Sequence, residues 1–448
     1  MPALSAPHHA ALAAVAEGCP DAALAQLAAA VGAMPGDRAQ AVAALLADER
    51  SSRRRRAMVF QPLLPMFEPR SDEVAGLIFP RQVLARLWRL VIKDEAELAE
   101  RLDHGGPEGE AAADQLCLTA AARVRKTPQV VWPDAPEGMT RELAGCLELA
   151  SLARRALPLL HVWLERPDPN QEAELRLLIR DSDEIADEGG RRMVDILFAH
   201  VADAERMPRV VTRTSRLADR ELMLSHSEMG VFVDRLLASV ERRAARIARV
   251  RPNGDEATLE RLKADMGWCA AVLEEMDLTL QMRPDSPWGR SARMARVKVA
   301  GQVSRLLQTA AAATHAALPL HSRRLVGRMK RMAPWLEAPT SGEAIDTATA
   351  LLGLTSALRP AAQVFGCEAE RTRLRLELTD YLSTYANEVL DSIADGEAER
   401  PNHALRLVGH AARFLTLLDA LEAARAVRRR ASAAEAALAA EGASPAAA

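Results

Sequence analysis

The segment TLERLKADMGWCAAVLEEMDLTL, residues 258–280, decides the fold. Within it Leu259, Leu262, Met266, Cys269, Leu273, Met276 and Leu280 recur at gaps that alternate three and four without a miss. That spacing follows the helical turn and gathers the apolar side chains into a narrow seam, which has to be buried against a neighbouring helix. The neighbour lies upstream. Met229, Val233, Leu236, Val240, Ala244 and Ile247 repeat the step, and Pro252-Asn253-Gly254 supplies a short turn between the two seams. The pattern predicts an antiparallel helical hairpin over 227–281.

Outward from this hairpin the composition stays helical. Ala, Leu, Arg and Glu dominate, aromatic residues make up only 3% of the chain, and β-branched or aromatic runs that could build a sheet are nearly missing. The expected fold class is all-α: multi-helix bundles or an irregular helical array with antiparallel helical hairpins. At 448 residues the chain exceeds a usual single core, and 49% hydrophobic residues suffice to fill two or more. No sustained repeat with shared signature positions emerges.

Breakers divide the chain into segments. Residues 1–50 read as short helices punctuated at Gly18-Cys19-Pro20 and Pro35-Gly36. Residues 51–70 combine Arg53–Arg56 with Phe60, Leu63, Leu64, Met66, Phe67 and three prolines in Pro62, Pro65 and Pro69, and read as an Arg/Pro-rich apolar linker. A polybasic run beside apolar residues there also suggests contact with an anionic membrane, against packing of the apolar residues onto a bundle. Residues 71–166 form a helical region, with Thr140 as a helix cap. Residues 171–336 form a central region containing the heptad hairpin 227–281 and basic helices over 288–336. Residues 341–430 form a C-terminal helical hairpin region, and 431–448 an Ala-rich tail.

The formal net charge is only −3, but the charge is segregated. From 286 to 336 there is no acidic residue, while Arg290, Arg293, Arg296, Lys298, Arg305, Arg323, Arg324, Arg328, Lys330 and Arg331 all fall in that stretch. On a helical wheel Val299, Val303, Leu306, Ala310, Ala313 and Ala317 share one face, and Arg290, Lys298 and Arg305 project from the other. A second helix with Leu325, Met329, Met332 and Leu336 as its apolar stripe is expected to present Arg323, Arg324, Arg328 and Arg331. Two such helices side by side create a positive field that attracts anionic surfaces. Arg290, Arg293, Lys298, Arg305, Arg323, Arg324, Arg328, Lys330 and Arg331 are therefore the candidate partner-binding residues. The competing reading is internal: the acid-rich segments 172–188 and 255–277 could neutralise the same cations as surface ion pairs.

Chemistry-bearing constellations are sparse. Asp181, Asp183, Glu184, Asp187 and Glu188 form the densest acidic cluster, with Asp183 and Asp187 four apart on one expected helical face. This arrangement resembles the aspartate-rich motif of isoprenoid synthases, which implies magnesium held by carboxylates against a diphosphate substrate in an all-helical enzyme. The second metal-binding motif of that family is missing, and few aromatics are available to line a carbocation pocket. No histidine has metal-ligand spacing, Ser225-His226 is an isolated pair, and no glycine-rich phosphate loop occurs. The five cysteines, Cys19, Cys117, Cys146, Cys269 and Cys367, lie far apart without paired spacing. No cofactor, metal site or catalytic residue is expected.

Met1 to Ala16 lacks the basic start of a signal peptide, and no apolar run reaches the roughly 20 residues that span a bilayer. A cytoplasmic location, open to peripheral membrane contact, is expected. The leading functional expectation is a non-enzymatic helical scaffold or adaptor that binds an acidic protein partner. The alternatives are an anionic membrane surface, nucleic acid, and a magnesium-dependent enzyme acting on a diphosphate. Nucleic acid is the weaker of the binding alternatives, because only Trp288 and Trp335 bracket the basic stretch as stacking platforms.

Overall fold

A computed structural model describes residues 5–214, 221–251, 254–324 and 330–443. Its architecture is all-α, with one two-stranded antiparallel ribbon among the described residues. The chain divides into two compact units, Met1–Ala218 with Leu224–Gly230, and Asp219–Met223 with Val231–Ala448. The division passes through the region 171–336 that the sequence reading treats as continuous.

In the first unit, helices Ala6–Gly18, Asp21–Gly32 and Asp37–Phe60 close a small core of Ala16, Leu24, Leu45 and Leu46. The segment expected to be a linker is not one. Arg53–Arg56 belong to the helix Asp37–Phe60, and Gln61–Phe67 forms a 3-10 helix whose Leu63, Met66 and Phe67 are buried. Pro62 sits in its first turn, where a missing N–H has no intrahelical partner to lose. The turn packs on helices Ala150–Glu165 and Gly189–His200, and His200 Nε2 lies 2.8 Å from the Pro62 carbonyl oxygen. Its apolar residues serve the core, the packing that the sequence reading set against membrane contact.

Helix Met139–Glu148 begins after Gly138, one residue before the expected cap at Thr140. It is tied to Gly189–His200 by a partly buried charge network. Arg191 donates to Glu142 at 2.7 Å, and Arg192 donates to it through two nitrogens at 3.1 Å. Gly145 makes room for this, since a Cβ there would stand 2.7 Å from the Arg192 Cδ. Burial alone would raise the Glu142 carboxyl, but its bonds to Arg192 and Arg191 outweigh that and hold it below the usual carboxylate range.

The second unit contains the heptad hairpin, as helices Gly230–Arg249 and Glu256–Thr279. Every seam residue from Leu259 to Leu280 is buried, as are Val233, Leu236, Val240, Ala244 and Ile247. The helices run antiparallel: Asp265 accepts from Arg243 at 2.8 Å and from Arg246 at 2.7 Å, while further along Cys269 Sγ reaches the Val240 carbonyl. Arg243 also lies over the Trp268 ring, 4.2 Å from its centroid. Helix Pro287–Ala317 returns beside Gly230–Arg249. Trp288 Nε1 donates to Asp234 at 2.6 Å near one end, and Gln302 Nε2 to the Val250 carbonyl at 2.8 Å near the other. Glu343–Ala357 packs along this helix and carries the layer of Glu368–Ala394, Pro401–Leu417 and Leu421–Ala443, whose core includes Leu382, Tyr385, Val389, Val408 and Phe414. The last helix continues to Ala443, into the Ala-rich segment that the sequence reads as a fraying helix followed by a tail.

The second basic helix does not form. Leu320–Arg324 and Lys330–Pro334 pair as antiparallel strands, with Arg323 opposite Arg331 and Arg324 opposite Lys330. Pro319 and Pro334 bracket this stretch and Gly327 falls within it, so a helix there would be short and broken. The strands are instead anchored at their base. Trp335 N–H donates to the Pro319 carbonyl, Tyr381 Oη donates to the Leu318 carbonyl, and Leu318 and Ala338 are buried in the adjoining core.

Candidate functional site

Ser286 caps the helix Pro287–Ala317 by accepting from Gly289 N at 2.9 Å, and the buried Trp288 fixes its first turn against Asp234. With Val299, Val303, Leu306, Ala310 and Ala317 buried, the opposite face stands outward. It carries Arg290, Arg293, Met294, Val297, Lys298, Gly301 and Arg305, all exposed and spaced by single helical turns. Met294 is 57% exposed and Val297 64% exposed, so the centre of a cationic stripe is apolar.

No cation of this stripe forms a close ion pair with a carboxylate among the described residues, though the charge of Arg290 helps to lower the Asp285 carboxyl. Arg290 donates to the Asp285 carbonyl, Arg293 to the Pro284 carbonyl, and Arg305 to the carbonyls of Gly301 and Ala248, both at 3.3 Å. Carbonyl acceptors satisfy donors without cancelling charge. Lys298 has neither a hydrogen bond nor an ion pair among the described residues. Arg296, one position off the stripe, is the exception and pairs with Asp277 at 2.5 Å. The first turn of the helix contains no acidic residue, so Arg290 and Arg293 add to the positive end of the helix dipole instead of offsetting it.

The remaining candidates are placed elsewhere. From Arg305 the helix runs on to Ala317, about 18 Å further along its axis, before the ribbon begins. The two basic clusters are therefore not the side-by-side surface expected from sequence. On the ribbon Arg323 pairs with Glu397 at 2.7 Å and Arg331 pairs with Glu388, so internal carboxylates neutralise both. Neither acid lies in the segments 172–188 or 255–277. Lys330 is exposed without a described partner, whereas Arg328, Leu325, Met329 and the side chain of Arg324 lie outside the described residues.

Four of the carboxylates of 172–188 are used within the first unit. Glu172 pairs with Arg176, Asp181 with Arg180, and Glu188 with Arg191. Helix Pro169–Ile185 ends before Asp187 and Ala186 is extended, so Asp183 and Asp187 do not share a helical face. Asp183 accepts from Gly190 N at 2.6 Å, holding the turn into the next helix. It lines a cleft of about 450 Å³ with Arg176, Arg180 and Thr214, and Asp187 is not among the lining residues. The four-residue carboxylate spacing behind the magnesium–diphosphate reading is thus replaced by a turn.

The residues that sequence reasoning missed are Met294, Val297 and Gly301. Their signal was present in the spacing from Arg290 to Arg305, but attention to charge left the apolar members between the cations unread. All five cysteines are free; Cys117, Cys146 and Cys269 are buried, and burial pushes the Cys117 and Cys269 thiols up to about 12. No described helix is long and apolar enough to cross a membrane. No family model, no curated protein and no solved structure matches the chain.

Proposed function

We propose that this protein is a helical adaptor whose outward face of Pro287–Ala317 receives an acidic amphipathic segment of a protein partner. The observation that carries the reading is the exposed pair Met294 and Val297 set among Arg290, Arg293 and Lys298, none of which is matched by an ion pair among the described residues. An apolar strip flanked by uncompensated cations is complementary to a helix with an apolar seam and acidic flanks. Gly301 supports it. A glycine inside a helix costs about 1 kcal/mol relative to alanine, and a Cβ at Gly301 would meet nothing within 4 Å, so no internal contact requires its absence. Close approach of a partner backbone would.

The test is affinity capture with the wild-type chain, the triple variant R290E/R293E/K298E, and G301W, at a position where a Cβ would meet nothing within 4 Å. The expected result is a partner with an acidic helical segment that both variants lose while their circular dichroism stays helical. Capture of the same partners by all three proteins would sink the proposal. The composition of the stripe also suits an anionic lipid surface. Salt-sensitive sedimentation with phosphatidylserine vesicles, abolished by the same triple variant and accompanied by no protein partner, would replace the first reading with that one.

A further inference from the structure

The four consecutive arginines Arg53–Arg56 have different surroundings. Arg53 is fully engaged: it pairs with Glu49 at 2.7 Å and with Asp21, and donates to the Ala16 carbonyl at 2.8 Å. Arg55 pairs with Asp103, and Arg54 is exposed. Arg56 is half-buried, yet it has no hydrogen bond or ion pair among the described residues. It lines a cleft of about 560 Å³ formed by helices Ala6–Gly18, Asp37–Phe60 and Arg81–Asp94. That volume lies in the range of small-molecule sites.

The walls of the cleft mix an apolar surface from Ala13, Ala14, Ala85, Ile92 and the edges of Leu45 and Trp88 with polar side chains that include His9, Ser52 and Arg89. The acids that also line it are mostly engaged. Glu49 belongs to Arg53, and Glu17 pairs with Arg89 at 3.3 Å. Asp48 is left at the rim, two helical turns and about 12 Å along the axis from Arg56, so the two ends of the cleft differ in sign. Burial and the neighbouring charge of Arg53 both lower the affinity of Arg56 for its proton, against weaker support from Glu49 and Asp21. Even so, a guanidinium stays charged at neutral pH. The fold therefore holds a cation in a place that does not favour it, facing a cleft and near Glu49 without a hydrogen bond or ion pair to it among the described residues.

We propose that this cleft is a binding site for a small organic acid, whose carboxylate pairs with Arg56 and whose apolar body lies along Ala13, Ala14, Ala85 and Ile92. A planar guanidinium accepts a carboxylate in a two-point bond, and desolvation within the cleft strengthens it. The site is independent of the helix Pro287–Ala317 and of its partner.

Octanoate is a suitable probe, with octan-1-ol as its neutral counterpart and inorganic phosphate as an anion without an apolar body. Calorimetric titration of the full chain should show one octanoate site and markedly weaker binding of the other two. R56Q should weaken octanoate by at least about tenfold, the scale of one charge-assisted pair. A14W, at the exposed rim of the cleft, should block octanoate without touching Arg56, which keeps the test valid if R56Q misfolds. Absence of octanoate binding at low-millimolar concentration, undiminished binding to R56Q or A14W, or phosphate binding as tightly as octanoate would each overturn the proposal.

Discussion

Replacing Asp265 by alanine should expose how the heptad hairpin is held in register. Asp265 is the shared acceptor of Arg243 and Arg246, and its side chain and that of Arg243 are only 11% and 10% exposed. Removing one partner of a buried ion pair costs about 3–5 kcal/mol, because the remaining charge is stranded. Arg246 is 49% exposed and can return to water, and Arg243 loses its bond to this acceptor within a buried site, so the lower end, about 3 kcal/mol, applies. For a unit of this size that corresponds to a fall in melting temperature of about 6–12 °C. The assay is thermal unfolding followed by circular dichroism, with tryptophan fluorescence as a second probe because Arg243 stacks on Trp268. The double replacement R243M/D265L removes both members of the buried pair and should recover part of the loss, since apolar residues can replace a buried pair at little cost. A shift below about 2 °C for D265A, or a double variant less stable than the single one, would refute the reasoning.

Two further outcomes follow from buried polar groups. Glu142 has its carboxyl held low by Arg192 and Arg191, so the stability it contributes is present above the unfolded carboxylate value of about 4.3 and is lost as pH falls through the depressed value. E142Q should therefore be less stable than wild type by about 1–3 kcal/mol at neutral pH, with the gap in urea midpoints closing towards about pH 3; a gap that persists unchanged there contradicts the linkage. The Tyr385 hydroxyl is buried without a hydrogen-bond partner among the described residues, so Y385F should be neutral or more stable by about 1 kcal/mol. A substantial loss of stability in that variant would mean that the hydroxyl has a partner.

The helical hairpin was legible because its information is local and periodic: Leu259 to Leu280 states which face is buried, and the Pro252-Asn253-Gly254 signal, whose first two residues lie outside the described ones, states in sequence what covers it. The clamp inside it was not read, although Asp265 falls beside the seam and Arg243 and Arg246 stand one turn apart on the preceding helix. The ribbon failed for the opposite reason. Leu325, Met329, Met332 and Leu336 fit a helical period over a few turns, but Arg323 and Arg331 find Glu397 and Glu388 more than fifty residues away, and the strands are anchored by Trp335 and Tyr381. No local pattern carries those contacts. Pro62 and Pro65 misled similarly, since prolines that rule out a regular α-helix are compatible with a 3-10 helix whose Leu63 and Met66 fill a core.

For the candidate site, charge count alone gave a broad answer. It grouped the stripe on Pro287–Ala317 with Arg323 and Arg331, which are internally paired, and it could not distinguish a donor satisfied by a carbonyl from one neutralised by a carboxylate. Arg290 and Arg293 keep their charge, whereas Arg323 and Arg331 do not present theirs freely. That distinction is why the proposed surface rests on the stripe and not on Arg323 and Arg331.

A photo-crosslinking residue in place of Val297 examines that surface most directly. Irradiation in the cell should join the protein, at this position, to a segment rich in Asp and Glu with apolar residues at helical spacing, and the same residue in place of Leu376, exposed elsewhere in the second unit, should not. Products that are absent at position 297, or the same at both positions, would contradict the assignment of this face as a docking surface.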